Sequence, residues 1–364
     1  GARNPSYADG YHGDLDDVVL YTSAHSADAV ADLAVRGPNG DALEFCNGAD
    51  DDCDAQLDEG FGLGASCDGA DGDACSLGTK QCGAGIARCV DTAMAAWWPA
   101  DTLAGVRVRD EGLLGADALI EHDVTGAAGI SGGGLLFGGS AGSIARAGAH
   151  NVFGGKTVGT WAAWIKPSTL TGDGVIVSAH DATTTLGRTW AFGRDDDGLF
   201  FRARTSETTL VPKTVLCNSS SACGSQLTAG TWTHVAVVFQ SGNATFYVNG
   251  VAKSTFSLDG FTLAGTQAGE ELWLGGDQAG DFSPWAGGLD DVRLYTSALS
   301  AAEMTLLYYT SRGQRLDLCD NIDNDCDLAT DEEYPTKAAA CDGTDSDLCA
   351  KGTWTCAADG VALE

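Results

Sequence analysis

Through the middle of the chain, apolar and polar positions alternate in short runs. VGTWAAWIKP begins at Val158, and GVIVSAH from Gly174, TWAFGRD from Thr189 and GLFFRAR from Gly198 follow; THVAVVFQ from Thr233, ATFYVNGVAKS from Ala244 and ELWLGG from Glu271 complete the series. Gly, Asp and Asn stand between them. A period of two sends successive side chains to opposite faces, and many short strands at close spacing predict an antiparallel β-sandwich. Asn249-Gly250 predicts a two-residue hairpin turn, because both residues accept positive φ. Trp161, Trp164 and Trp232 fall at strand positions where the alternation predicts core burial. Phe45 to Val90 shows no such period. It is rich in Gly, Asp and Cys and reads as loops held by cross-links.

A second pattern lies above the strands. GGLDDVRLYTSALSAAEMTLLYY at Gly287–Tyr309 has a near copy, GDLDDVVLYTSAHSADAVADLAV, at Gly13–Val35, 274 residues earlier. The cysteines repeat at the same spacing: Cys46, Cys53, Cys67, Cys75 and Cys82 correspond to Cys319, Cys326, Cys341, Cys349 and Cys356. Self-similarity at a fixed period marks a repeat architecture. The expected order is the last strand and helix of one sandwich (1–37), a Cys/Asp-rich module (45–93), a complete sandwich (95–313) and a second module (317–364). The chain is therefore expected to be a window on a longer array. Cys89, the sixth cysteine of the first module, then has its counterpart just beyond Glu364.

Composition narrows the function. Lys and Arg number 20 against 51 Asp and Glu, a formal net charge of -31. Such a chain repels nucleic acid and attracts cations. No apolar run approaches the ~18 residues of a membrane span, so direct insertion is not expected. Thirteen cysteines in modules poor in apolar residues point to disulfides and an extracellular, oxidising setting, on a secreted or cell-surface protein. Zinc would want paired Cys-x2-Cys or His partners, and neither spacing occurs. Six cysteines admit 15 pairings, so connectivity within a module stays open. Cys217 and Cys223 stand alone in the sandwich and predict a local disulfide.

The acidic loops carry the candidate metal chemistry. CNGADDDCDAQLDEG sets Asp50, Asp52 and Asp54 at alternate positions and follows with Asp58 and Glu59; CDNIDNDCDLATDEE repeats this with Asp323, Asp325, Asp327, Asp331 and Glu332. A shorter version recurs at Asp68, Asp71 and Asp73, and at Asp342, Asp345 and Asp347. Alternate carboxylates followed by further acids can wrap one hard cation. An all-oxygen donor set in a chain with two Met favours calcium over copper. The alternative is a solvated acidic loop. Both stretches resemble a metal-binding motif found in tandem in bacterial surface proteins, close to C-D-G-x-D-N-D-C-D-G-x-x-D-E.

The order AWWPAD, GGGLLFGGS, TVGTWAAWIKP, GTWTHVAVVFQSGNATFYVNGV, LWLGGD and GGLDDVRLYTSALSAAEM resembles the laminin-G-like, concanavalin A-like jelly-roll family over Ala95–Tyr309. The resemblance implies two sheets of about six or seven strands, with LDDVRLY central and the following helix closing one end. It further implies binding of sugars or proteins, and in some members a calcium. Asp290 or Asp291 would be the ligand carried over, with Asp101 near the first strand; the alternative is an Asp that hydrogen-bonds backbone at a strand edge. Hydrolytic relatives carry E-x-D-x-E on one strand face, and that pattern is absent. Glu270 and Glu271 are adjacent, and His234 reads as a packing residue, so no enzyme is expected. Trp98 and Trp285 are the candidates for an exposed sugar platform. The reading is thus a mainly β protein, a jelly-roll sandwich flanked by small disulfide-rich, calcium-binding modules. It would serve as an adhesive repeat of an extended fibre or filament, with neighbouring repeats, glycans or surface proteins as partners; the alternative is a carbohydrate-binding module.

Overall fold

The computed structural model describes most of residues 94–364, together with residues 58, 60–67, 78–83 and 86–90. Within 94–364 it leaves out 151, 182–186, 197, 204–212, 218–222, 224–225, 258–269, 277–283, 315–316, 320, 322–329, 342–351 and 358–361. The chain divides into two compact units, Gly1–Ala65 with Lys80–Arg88, and Ser66–Thr79 with Cys89–Glu364.

The strands run in order as β1 (Ser66–Cys67), β2 (Gly78–Gly83), β3 (Ile86–Val90), β4 (Met94–Trp98), β5 (Leu103–Ala104), β6 (Arg107–Val108), β7 (Ala118–Ile120) and β8 (Thr125–Ala128). Next come β9 (Gly133–Gly138), β10 (Ala145–Ala149), β11 (Val158–Pro167), β12 (Gly174–Asp181), β13 (Gly187–Asp195), β14 (Gly198–Ala203) and β15 (Lys213–Cys217). The series ends with β16 (Thr233–Gln240), β17 (Asn243–Val248), β18 (Val251–Ser257), β19 (Glu270–Leu274), β20 (Ala286–Tyr295), helix α1 (Ala301–Thr310), β21 (Ala340–Cys341) and β22 (Gly352–Thr353). Among the described residues one sheet has nine strands in the order β15-β14-β13-β12-β19-β10-β7-β6-β5. The other has eight, ordered β18-β17-β16-β11-β20-β9-β8 with β4 also on β20. The pairings are antiparallel, and the fold is mainly β, as the alternation predicts.

Period-two patterning builds the core directly. Trp161, Ala163 and Ile165 of β11 and Val235, Val237 and Phe239 of β16 pack inward, while Ala162, Ala236 and Val238 join a second cluster on the outer face. Helix α1 covers that outer cluster with Met304 and Leu307. Ser300 caps the helix with a capping box, its hydroxyl accepting from the Glu303 N–H while Glu303 accepts from the Ser300 N–H. The hairpin at Asn249 (φ 52°) and Gly250 (φ 76°) forms as expected, with Val248 opposite Val251. Trp161 and Trp164 are buried, but Trp232 is only partly so, lying against Gly288 with Lys166 Nζ 5.8 Å from its ring centroid. The strand count exceeds the expectation because two- and three-residue strands extend one sheet and both β9 and β4 share an edge of β20.

The two Cys/Asp-rich stretches adopt matching local geometry 274 residues apart. Cys67 lies opposite Gly78 and Ser66 opposite Thr79; Cys341 lies opposite Gly352 and Ala340 opposite Thr353. The Gly64 N–H donates to Lys80 O and the Lys80 N–H to Ala65 O. Ala338 donates to Trp354 O and Trp354 to Ala339 O in the same way. Both Gly64 (φ 76°) and Ala338 (φ 65°) take the left-handed conformation at this turn.

His234 sits under α1 against the rings of Trp164 (5.4 Å) and Tyr308 (6.1 Å), which also stack on each other at 5.5 Å. Burial, reinforced by Arg293, pulls its pKa down from 6.5 to about 3. Below pH 6.5 the unfolded chain therefore takes up a proton that the folded chain refuses. Stability from this residue is complete above pH 6.5 and falls toward pH 3 by about 1.4 kcal/mol per unit. Equilibrium denaturation between pH 7 and 4 is expected to show this slope, and His234→Phe, which keeps a ring but cannot titrate, to remove that part of it. An unchanged slope in the variant would refute the assignment.

Candidate functional site

The candidate site grows from an interruption in β20. Leu289 packs inward, and so do Val292 and Leu294, so the alternation slips by one between Leu289 and Val292. Asp291, at φ 48°, makes the slip: three steps from Asp290 to Arg293 oppose two from Trp164 to Ala162 on β11. This is a β-bulge. On its other edge β20 pairs with β9 through Leu289 and with β4 from Val292 onward, so Asp290 and Asp291 fall where one partner ends and the next begins.

Each aspartate closes one side of that gap. Asp290 Oδ2 accepts the Ile130 N–H at 2.8 Å and Oδ1 the Asp291 N–H at 2.7 Å. Asp101 Oδ1 accepts the Gly133 N–H at 3.1 Å, holding the same loop from the other side. Only glycine fits there, since a Cβ on Gly129 would stand 2.2 Å from Asp290 Oδ2 and one on Gly132 2.1 Å from Asp101 Oδ1. Burial pushes the Asp290 carboxyl up to about 8; the charges of Asp291 and Asp101 add to this, against the two N–H donors. Asp291 Oδ1 accepts from Trp97 Nε1 at 2.5 Å and from Arg293 Nε at 3.0 Å, with Arg293 Nη2 at 2.9 Å. The guanidinium lies 4.6 Å from the Trp97 ring centroid. Burial works against its charge, but Asp291 and Tyr295 hold its pKa above the ordinary value.

Trp97 also lines a surface cavity of about 330 Å³ with Pro99, Ala100, Asp101, Thr102, Arg109 and Glu111. The buried carboxylate of Asp110 shapes this wall by accepting the N–H groups of Trp97, Gly112 and Ala116, each at 2.7 Å. Trp97 corrects the platform expectation. Ala96 and Trp98 face the inner core, where Trp98 Nε1 donates to Ala116 O at 2.8 Å and the ring is 1% exposed. Trp285 is likewise 1% exposed, donating to Gly288 O at 3.2 Å. Neither can serve as an exposed platform. The signal that could have found Trp97 is its parity with the core residues of β4, which the adjacent pair WW left ambiguous.

In the second module the residues of the acidic motif that are described divide their roles. Glu332 comes together with Asp317 and Glu333, their carboxylate oxygens all within 4.8 Å of one another. Asp317 and Glu333 were outside the sequence reading. Asp331 (φ 57°) instead accepts from the Asn321 N–H and pairs with the Lys337 ammonium. Asp58, its counterpart 273 residues earlier, is also buried and left-handed at φ 50°. Asp50, Asp52, Asp54, Glu59, Asp68, Asp71, Asp73, Asp323, Asp325, Asp327, Asp342, Asp345 and Asp347 lie outside the described residues, as does the segment 1–37.

The expected disulfide Cys217–Cys223 is present, with Cα atoms 5.4 Å apart, and Cys319 pairs with Cys356. Cys341 is a free thiol where a disulfide was expected; Cys326 and Cys349 of its module lie outside the described residues. Cys46, Cys53, Cys75, Cys326 and Cys349, and the side chains of Cys67, Cys82 and Cys89, lie outside the description. No described helix is long and apolar enough to cross a membrane.

Residues 138–305 match a laminin G-type family model described as the concanavalin A-like lectin/glucanases superfamily. No curated protein matches the chain. Among solved structures, the binding domain of Paraclostridial Mosquitocidal Protein 1 aligns at TM-score 0.46 and 14% identity, over 62% of this chain and 56% of that one. Domain 4 of a GH43 extracellular arabinanase from Geobacillus stearothermophilus, in complex with arabinotriose, aligns at TM-score 0.46 and 19% identity, over 59% and 98%. The botulinum neurotoxin serotype G binding domain aligns at TM-score 0.44 and 15% identity, over 60% and 51%. The chain thus spans about half the length of those toxin domains.

The pair Asp291–Arg293 is nearly dry, with side chains 10% and 7% exposed. Removing one partner leaves the other charge buried, at a cost of about 3–5 kcal/mol. Asp291→Ala is therefore expected to lower the unfolding free energy by that amount in urea denaturation. A loss under ~1 kcal/mol would show that solvent reaches the pair.

Proposed function

We propose that the chain is a repeat unit of a secreted or surface-displayed adhesive protein. Its jelly-roll sandwich would provide the binding surface, and its Cys/Asp-rich modules would be disulfide-bonded, calcium-loaded connectors. The observation that carries this reading is the matching backbone geometry of the two modules, 274 residues apart on either side of one sandwich. A unit that recurs with its hydrogen bonds in register is built for stacking in series. Neighbouring repeats would be its first partners, and glycans or surface proteins its targets. The described donor sets fit calcium: Asp317, Glu332 and Glu333 offer only hard oxygen ligands at close range, and Asp290 is raised by burial beside like charges that a cation would offset. A cation holding such a loop adds its binding free energy to folding, and so would stiffen the connector. The sandwich, in this reading, is non-catalytic.

A second reading, a carbohydrate-binding module with connectors as mere spacers, is favoured by the half-buried Trp97 and its cavity. Metal analysis of the purified chain, with limited proteolysis before and after a calcium chelator, tests the first. Two or more calcium ions per chain are expected, with the connectors cleaved after chelation while the sandwich persists, and Glu332→Gln losing one ion. No bound metal and an unchanged digestion pattern would remove calcium from the connectors.

A further inference from the structure

In the second module, two turns in series bring Lys337 back to Asp331. The Tyr334 N–H donates to Asp331 O and the Lys337 N–H to Tyr334 O, both at 2.9 Å, with Pro335 between the two donors. Where the turns close, Lys337 Nζ lies against Asp331 Oδ2. Asn321 aligns both groups: its backbone N–H donates to Asp331 Oδ1 at 3.1 Å, while its side-chain Oδ1 accepts from Lys337 Nζ at 2.8 Å. Asp317 Oδ2 holds the Asp331 backbone N–H at 2.6 Å. The carboxyl carbon of Asp331 thus stands one bond beyond the oxygen that the amine touches, and its other oxygen already rests on a donor.

These are the parts of an acyl transfer: a nucleophile against the acyl group, an N–H on the oxygen where charge develops, and a leaving oxygen on the side of the nucleophile. Well-oriented intramolecular groups react with effective molarities of ~10⁵–10⁸ M, which separate amines and carboxylates in water never reach. The Asp331 side chain is 5% exposed and that of Lys337 24%, so their charges are held at a desolvation cost that a neutral product removes. We propose that Lys337 Nζ and Asp331 Cγ become joined by an amide bond in the folded chain. The Nζ–Cγ bond forms and the Cγ–Oδ2 bond breaks; Oδ2 leaves as water with two protons from the ammonium, and Oδ1 stays on the Asn321 N–H as the amide oxygen. An ammonium and a carboxylate become an amide and water, so no co-reactant enters. The bond adds a second covalent tie to the module that Cys319–Cys356 closes, and it is independent of calcium, since Asp317, Glu332 and Glu333 keep their carboxylates. Counted back from the corresponding Cys67 and Cys341, Leu63 stands at the place of Lys337, so the first module has no amine there and one such bond per chain is expected.

Intact mass spectrometry of the full chain with its disulfides reduced, followed by tandem mass spectrometry of its tryptic peptides, tests the bond. The parent is expected to be lighter than its sequence by the mass of one water, trypsin to leave the chain uncut after Lys337, and fragmentation to yield no break between Asp331 and Lys337. Lys337→Arg and Asp331→Ala should each restore the sequence mass. Asn321→Ala should leave part of the chain at that mass while the Cys319–Cys356 disulfide still forms. The parent's own mass decides the matter even if a variant fails to fold. A parent at full sequence mass, cleaved after Lys337, would leave an ion pair only and overturn the proposal. So would a loss of water that survives Lys337→Arg, which would mark a succinimide at an aspartate instead of a cross-link.

Discussion

The sandwich depends on how β20 serves two partners along one edge. β9 takes the strand as far as Leu289 and β4 takes it from Val292 onward, so the backbone between them has no strand beside it on that edge. An unpaired stretch in the middle of a sheet would leave buried polar groups without partners. The chain answers with two carboxylates and a bulge. Asp290 reaches the Ile130 loop and Asp291 reaches Trp97 and Arg293, so the gap is bridged by side chains where a ladder cannot run. The bulge also flips the parity of the strand, which returns Val292 and Leu294 to the core. The same residues fix Trp97 on the outer side, so the wall of the cavity is a consequence of how the sheet is closed.

Much of the fold was legible because it rests on period two. The runs at Thr160–Ile165 and Val235–Phe239 have a single way to bury their large residues, and the hairpin at Asn249-Gly250 needs only the two residues that tolerate positive φ. Trp97 and Trp98 were not legible in the same way. Adjacent residues of equal hydrophobicity carry no parity of their own, and the parity of β4 comes from its pairing with a bulged strand 194 residues away. Trp285 was misplaced for a related reason. It lies outside a strand, and its burial comes from Gly174 and Arg194 converging on it from other strands. LDDV was legible as special, since two acids in an apolar strand demand a partner, but the partner, Arg293, could be named only with the bulge in view.

The two Cys/Asp-rich stretches show a different economy of sequence. Their hairpin recurs with the same hydrogen bonds, and Ala65, Cys67, Gly78 and Thr79 have identical counterparts in Ala339, Cys341, Gly352 and Thr353, while Lys80 stands where Trp354 does and Gly64 where Ala338 does. An alanine at φ 65° carries a steric cost that glycine avoids. The cost is tolerated because the backbone bonds on both sides of the turn, from Ala338 to Trp354 and from Trp354 to Ala339, determine the conformation. The shared cysteine, glycine and threonine of the ladder thus come with the same backbone pairing, and the turn tolerates exchange at the positions that differ.

The sandwich and the second module also differ in what they remove from water. The sandwich buries rows of Trp, Phe, Val and Leu, and its Cys217–Cys223 disulfide spans only six residues. In the second module the buried positions among the described residues are Asp317, Leu318, Cys319 and Asp331, so half of what is removed from water is carboxylate. Burial there costs free energy unless each carboxylate finds donors or a cation. Asp331 has Lys337 and Asp317 has the Asp331 N–H, while Cys319–Cys356 ties together ends 37 residues apart. The interior of the module is thus held by an ion pair, N–H donors and a cross-link, and that of the sandwich by aromatic and aliphatic packing.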